Sequence, residues 1–333
     1  MRRGAGRLAE ISPVFAGSGG RPDPDSATSR DAIQREADGR VTLRAFRLAE
    51  PLTVDGRLDD PAYGQAPGAG GFLQQEPDEG APASEETRVW VFYDSDSVYI
   101  AADLQERDPG RRMASEMRRD HRNIARQDSF AVILDTFHDR RNGFLFHTNP
   151  LGALFDAQVT DERNTNSDWN TVWWAEAESG PGGWTIELRI PFRSLRYPAG
   201  GAQVWGINFR RLIRHRNETV FLTQTPQAYS DEGLARLSNA ATLVGLEAPP
   251  GSRRIELKPY AIGSQNHVPL NDVHHDWTGE VGADLKIGVT DGLTADVTWN
   301  TDFAQVEDDE TQINLSRFSL FFPEKRDFFL EGQ

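Results

Sequence analysis

The chain has 333 residues, 38% hydrophobic and 26% charged, with no cysteine and 51 acidic against 36 basic residues, for a formal charge of -15. That length is ample for a buried core and for one large domain or two ordinary ones, and the absence of cysteine excludes disulfides and thiolate chemistry. The acidic excess repels a phosphate backbone and argues against nucleic acid as a partner, and no apolar run reaches the roughly 18 to 20 residues that a membrane-spanning helix needs.

Residues 1–44 are dense in Gly, Pro, Ser, Asp and Arg and lack sustained periodicity, so this leader is expected to be disordered. Basic residues follow Met1, but no apolar stretch comes after them, so the chain as written carries no secretory signal.

From 45 to 247 short β-rich runs alternate with turn residues, the spacing of a sandwich. TRVWVFYD (87–94) and VYIAADL (98–104) flank the turn at Asp94 to Ser97 and predict a hairpin. SFAVILD (129–135) is nearly continuous in apolar residues, which predicts a central strand buried on both faces. GFLFHTN (143–149) and ALFDAQVTD (153–161) predict a second hairpin around Pro150 to Gly152. In WTIELRIPF (184–192), Trp184, Ile186, Leu188 and Ile190 alternate with Thr185, Glu187 and Arg189, so one face is expected in the core and the other wet. VWGINFRRLIR (204–214) and TVFLTQ (219–224) add two strands, with a helical turn or two around 111–126. Trp90, Trp184 and Trp205 sit in strand patterns and are expected in the core.

The ordered series VDGRLDDPAY (54–63), VFYDSDSVYIAADLQERDP (91–109), QDSFAVILDTFHDRRNGFLFHTNPLGALFDAQVTDE (127–162), DWNTVWW (168–174) and GGWTIELRIPFRSLRYP (182–198) resembles the family 9 carbohydrate-binding modules. The resemblance implies an antiparallel, jelly-roll-like β-sandwich over 45–247 that binds a carbohydrate ligand without cleaving it. Sugar-binding members hold the sugar between two tryptophans, one before the long central strand and one near the end of the domain. Here the first region, 117–127, has no aromatic side chain except His121, and the second, 227–236, offers Tyr229. Structural calcium is also implied by the resemblance, with the oxygen-rich turns at Asp94 to Asp96 and Asp55 to Asp60 as ligand sources, although neither has EF-hand spacing.

Sugar recognition needs flat aromatic faces and side-chain hydrogen bonds. DERNTNSDWNTVWW (161–174) offers both, so Asp168, Trp169, Asn170 and Trp173 are the expected ligand face. Tyr229 and Arg118 join them because they lie where the resembling modules place binding groups. In a strand over 171–175, Trp173 and Trp174 point to opposite faces, so at most one is a platform. Arg118, Arg119, Arg122 and Arg126 in one segment, and Arg210, Arg211, Arg214 and Arg216 in another, form a basic patch for acidic sugars or lipopolysaccharide phosphates if they meet; otherwise they pair with nearby carboxylates. A glycosidase needs two carboxylates flanking a cleft. Asp128, Asp135, Asp139, Asp156, Asp161 and Glu162 are available, but acids are so common here that a pair carries little, and these are expected to be solvated turn acids. GxSxG, HExxH and P-loop patterns are absent from the sequence.

After Pro249, Pro250 and Gly251 the texture changes. RIELKPYAIGSQN (254–266), WTGEVGADLKIGVTDG (277–292) and LTADVTWNTDF (293–303) alternate apolar with polar residues or glycine, the weak mark of outer-membrane barrel strands. NTDFAQVEDDETQINLSRFSLFFPEKRDFFLEGQ (300–333) is similar to the start of a barrel-like region in an uncharacterised bacterial family with a family 9-like domain ahead of it. A barrel takes at least eight strands, so 248–333 reads as the N-terminal part of a truncated barrel. The expectation is an all-β glycan-binding protein whose full-length parent sits in the outer membrane or periplasm and serves polysaccharide capture or catabolism. Its alternatives are the soluble domain of an outer-membrane transporter or assembly component, and a glycoside hydrolase acting on xylan-like polymers.

Overall fold

The computed structural model describes residues 31–250, 255–267, 275–290 and 293–300. In chain order the strands are β1 (Ile33–Arg35), β2 (Val41–Arg44) and β3 (Phe46–Arg47), the short helix α1 (Pro61–Gln65), then β4 (Leu73–Glu76), β5 (Thr87–Tyr93) and β6 (Ser97–Gln105). There follow β7 (Ser129–Asp135), β8 (Gly143–Thr148), β9 (Phe155–Thr160), β10 (Asn164–Asn166), β11 (Trp174–Gly180) and β12 (Gly183–Pro191). The last are β13 (Gly201–Ile213), β14 (Glu218–Phe221), β15 (Ala241–Ala248), β16 (Ile255–His267), β17 (His275–Thr290) and β18 (Leu293–Trp299).

Two sheets make a sandwich. The larger runs β1-β2-β15-β13-β7-β8-β9-β10, with β14 joining β13 to β4, and the smaller runs β11-β12-β6-β5-β3. Both predicted hairpins are present as the antiparallel pairs β5–β6 and β8–β9. Two pairs are parallel, β2 with β15 and β3 with β5, which brings the start of the domain beside its end. β1 and β2 lie within the segment expected to be a disordered leader; residues 1–30 are outside the described residues.

Alternation builds the core. Phe130, Val132 and Leu134 of β7 face Ile186, Leu188 and Ile190 of β12 in one cluster between the sheets, joined by Trp184 and Trp205. Ala131 and Ile133 point to the opposite side of β7, where Leu234 and Leu237 cover them, so every residue of this strand is buried. Each such Leu, Ile or Phe contributes about 1.5–3 kcal/mol by leaving water.

Glu187, expected on a wet face, is fully buried. The outer face of the smaller sheet is covered by the 48–66 segment, whose Leu52 and Ala66 pack on Trp90, Phe92, Tyr99 and Ala101. Glu187 pins that segment by accepting from the Asp55 and Gly56 amides, both at 2.9 Å, and from the Tyr63 hydroxyl at 2.5 Å. Gly56 has φ +85°, and a Cβ there would lie 2.8 Å from the Ala177 carbonyl carbon, so the VDGRLDDPAY motif needs its glycine for conformation and for space.

β16, β17 and β18 form a separate antiparallel sheet. Its registers put Leu257, Leu285 and Val297 in one rank and Lys258, Asp284 and Thr298 in the rank on the opposite face, as the alternation expects. The 301–333 motif lies outside the described residues.

Candidate functional site

One rank crosses the outer face of the larger sheet. Arg210 on β13 pairs with Phe221 on β14 and with Ala131 on β7; Ala131 pairs with His147 on β8, and His147 with Phe155 on β9. Paired residues share a face, and Ala131 and Phe221 fix it as the one turned away from the sandwich core. The 3-10 segment Arg122–Arg126 packs against β7 and β8, and the segment Gln227–Ala235 against β4, β7 and β13, so the rank is bracketed by two loops.

The polar groups of this rank have few partners. The Arg210 side chain is 7% exposed and makes one hydrogen bond, from Nη2 to Oδ1 of Asp231 at 3.4 Å, while its Nε is buried without a partner. Burial pulls the Arg210 pKa below the usual guanidinium value. His147 lies edge-on to Phe155, with ring centroids 6.4 Å apart. Burial, and after it the Arg210 charge, pushes its pKa down to about 3, so the imidazole is neutral at physiological pH and offers one donor and one acceptor. Nearby on β13, Asn208 shares the face and its Nδ2 is likewise buried and unpaired. Phe155, partly exposed, adds a ring at the open end of the rank. Such a set can bind hydroxyls or an anion; a neutral imidazole beside a guanidinium is not arranged for general acid chemistry.

The expected ligand face at 168–173 is built differently. Trp173 is 2% exposed, packs edge-on to Phe146 at 5.1 Å and donates from Nε1 to Asp156 at 2.9 Å. Trp169 packs on Phe144 and Phe146 at 5.0 and 6.1 Å, and both indoles belong to the core between the sheets. Neither has a face to offer a sugar, which corrects their expected role as platforms. Trp173 and Trp174 do point to opposite sides, but the open ring is Trp174, 42% exposed, with the Arg189 guanidinium 5.3 Å from its centroid. Asp168 and Asn170 are exposed, and Asn170 accepts from Arg119 at 2.8 Å. Arg118 is exposed and paired with Glu116 at 2.9 Å; Tyr229 is partly exposed beneath Arg236, whose guanidinium lies 4.9 Å from its ring.

Most of the two arginine groups pair with carboxylates or carbonyls. Arg119 binds Asp156 at 2.5 Å, Arg216 binds Glu85 at 2.8 Å, and buried Arg211 donates to the Glu86 and Gln105 carbonyls and to Thr87. Asp128, Asp135 and Asp156 are buried rather than solvated, and each accepts backbone amides: Asp128 those of Met113 and Arg214, Asp135 those of Asp139 and Arg140, Asp156 that of Thr171. They are loop anchors. Of the acids considered for calcium, Asp94 accepts from the Asp96 and Ser97 amides and the Tyr99 hydroxyl, and Asp55 from Arg57. Among the described residues no group of three or more His, Asp or Glu side chains gathers as a metal site.

His147 escaped the sequence reading, whereas Arg210 is expected there as one member of a basic patch with Arg211, Arg214 and Arg216. The parity of GFLFHT held the signal for His147, since it falls on the face opposite Phe144 and Phe146.

The family model described as a domain of unknown function (DUF5916) matches residues 251–333. No curated protein matches the chain. Among solved structures, the chain is similar to a family 9 carbohydrate-binding module from Caldicellulosiruptor kristjanssonii in complex with glucose, at 13% identity and TM-score 0.43 over 63% of this chain and 97% of that one. It is similar to a family 9 module of that organism in complex with cellotriose at 15% identity and TM-score 0.42, over 63% and 95%. A protein from Bacteroides uniformis is similar at 10% identity and TM-score 0.47, over 62% and 98%.

Proposed function

We propose that the sandwich is a non-catalytic glycan-binding module of an outer-membrane or cell-envelope protein that captures polysaccharide. The observation that carries this is the rank Phe155, His147 and Arg210, where a partly exposed ring adjoins a neutral imidazole and a guanidinium short of partners. Carbohydrate sites combine those ingredients, a ring face and a few hydrogen-bonding side chains. Tyr229 and Arg118, with Asn170 and Asp168, are proposed as rim contacts. A glycan array probed with the full chain tests this. Binding is expected to at least one polysaccharide class, and a blank array at millimolar sugar overturns the reading. No reducing sugar is expected to be released from xylan.

A second reading, the soluble part of an outer-membrane transporter or assembly component, is favoured by the third sheet. Leu257 and Trp299, 62% and 65% exposed, share one apolar face with Val281 and Val297, which are also exposed. An exposed apolar face opposite a polar one suits strands that meet lipid. Under this reading the chain floats with liposomes, and Leu257→Asn with Val297→Asn reduces the floating fraction. No flotation of the parent chain removes it.

A further inference from the structure

We propose that the ligand of the His147–Arg210 face is an acidic sugar, with its carboxylate received by Arg210. This rests on the glycan-binding reading above and narrows it to a substrate class. A guanidinium carries five donors in a planar fork that fits a carboxylate. Arg210 uses one of them, in a bond of 3.4 Å to Asp231, and its buried Nε has no partner. Asp231 is 96% exposed, so its charge is largely spent on water. Glu76 adds a charge attraction but no hydrogen bond; a buried charge so thinly paired is costly in the free protein, and an incoming anion supplies the missing hydrogen bonds.

The neighbouring groups separate a sugar acid from a bare anion. Ala131 alone stands between Arg210 and His147 in the rank, so their Cα atoms are two strand spacings apart, about 10 Å. Both side chains stand on the same face of the sheet, so one ligand can meet both. His147 meets hydroxyls and the Phe155 ring stands beyond it. The chain's net charge of -15 repels a dianion more than a monoanion, which favours a carboxylate over a phosphate.

Titration calorimetry with the full chain, at fixed ionic strength, compares glucuronic acid with glucose, acetate and inorganic phosphate. Glucuronic acid is expected to bind at least tenfold tighter than each of the others. Arg210→Met removes this preference while keeping the melting temperature level or raising it, since a thinly paired buried charge is lost. Should that variant fail to fold, Asp231→Asn serves instead: this exposed carboxylate competes for Arg210, and its removal should strengthen glucuronic acid binding about threefold with glucose unchanged. Equal affinity for glucose and glucuronic acid overturns the acidic-sugar assignment and leaves the glycan reading standing. Acetate or phosphate binding as tightly as glucuronic acid overturns it as well, as a bare anion site, and an Asp231→Asn variant with unaltered affinity does the same. No binding of any sugar overturns both.

Discussion

Trp173 donates its indole N–H to Asp156 at 2.9 Å, and the same carboxylate takes the Thr171 amide at 2.8 Å and Arg119 at 2.5 Å. One buried acid thereby folds the 168–173 loop over the end of the sandwich and holds both Trp169 and Trp173 in the core.

Asp156→Ala leaves an indole N–H and an amide without their acceptor and takes from Arg119 its buried carboxylate partner. Breaking a buried charged cluster from one side costs about 3–5 kcal/mol, so the urea midpoint should fall by that measure. Asp156→Asn keeps an acceptor oxygen and should lose less. An Ala variant as stable as the parent would mean that the loop is held by ring packing alone.

Trp169→Ala and Trp174→Ala should part company. The first empties a core site and costs about 3–5 kcal/mol. The second removes an exposed ring whose contact is Arg189, and a cation–π contact at an exposed site is worth about 0.5–1 kcal/mol. Thermal melts of the pair measure the contrast.

Strand placement was legible because alternation is local: β5 to β8 and β12 fall where the apolar periodicity puts them. Burial decided by distant segments was not. Glu187 reads as wet within its own strand, but Gly56 and Tyr63 cover it from more than 120 residues away. The 168–173 loop reads as an exposed platform because its neighbours are polar; Phe144 and Phe146 of β8 draw its tryptophans inward. β2 is short, charge-flanked and stabilised by a parallel partner near residue 243, a pairing that no local pattern reports. At the candidate site, the parity of His147 was readable, whereas the burial of Arg210 depends on the 227–240 segment folding back over the sheet.

Gly56→Ala and Gly39→Ala separate space from conformation. Both glycines have positive φ, +85° and +87°, but a Cβ at Gly39 meets nothing within 4 Å, whereas at Gly56 it meets the Ala177 and Glu178 backbone. The left-handed penalty alone is about 1–2 kcal/mol. Gly39→Ala should lose that much, and Gly56→Ala more, because the 48–66 segment must lift off Glu187. Comparable denaturation midpoints for the two variants would show that the segment gives way without cost.

The neutral state of His147 makes a pH signature. Its folded pKa of about 3 lies below the ordinary 6.5. Above pH 6.5 neither folded nor unfolded chain holds this proton, and the stabilising contribution of the neutral ring is complete. As pH falls from 6.5 toward 3, the unfolded chain takes up a proton that the folded chain refuses, so stability declines with acidification, by at most about 1.4 kcal/mol per pH unit for one proton. Glu116 acts in another window. Arg118 holds its carboxyl at about 2, first through their side-chain pairing and then through the backbone amide, so its contribution is lost only as pH drops from about 4.5 toward 2. Measurements between pH 7.5 and 5 therefore isolate the histidine. Urea unfolding of the parent and of His147→Gln over that range should show the parent losing stability faster as pH falls, with a difference in slope approaching one proton near pH 5. Buried carboxylates with raised pKa values, such as Asp135 and Glu187, contribute in the opposite sense, losing stability as pH rises through their folded values, and they cancel between the two proteins. Parallel pH profiles would place the His147 ring in contact with water and return its pKa to the ordinary range.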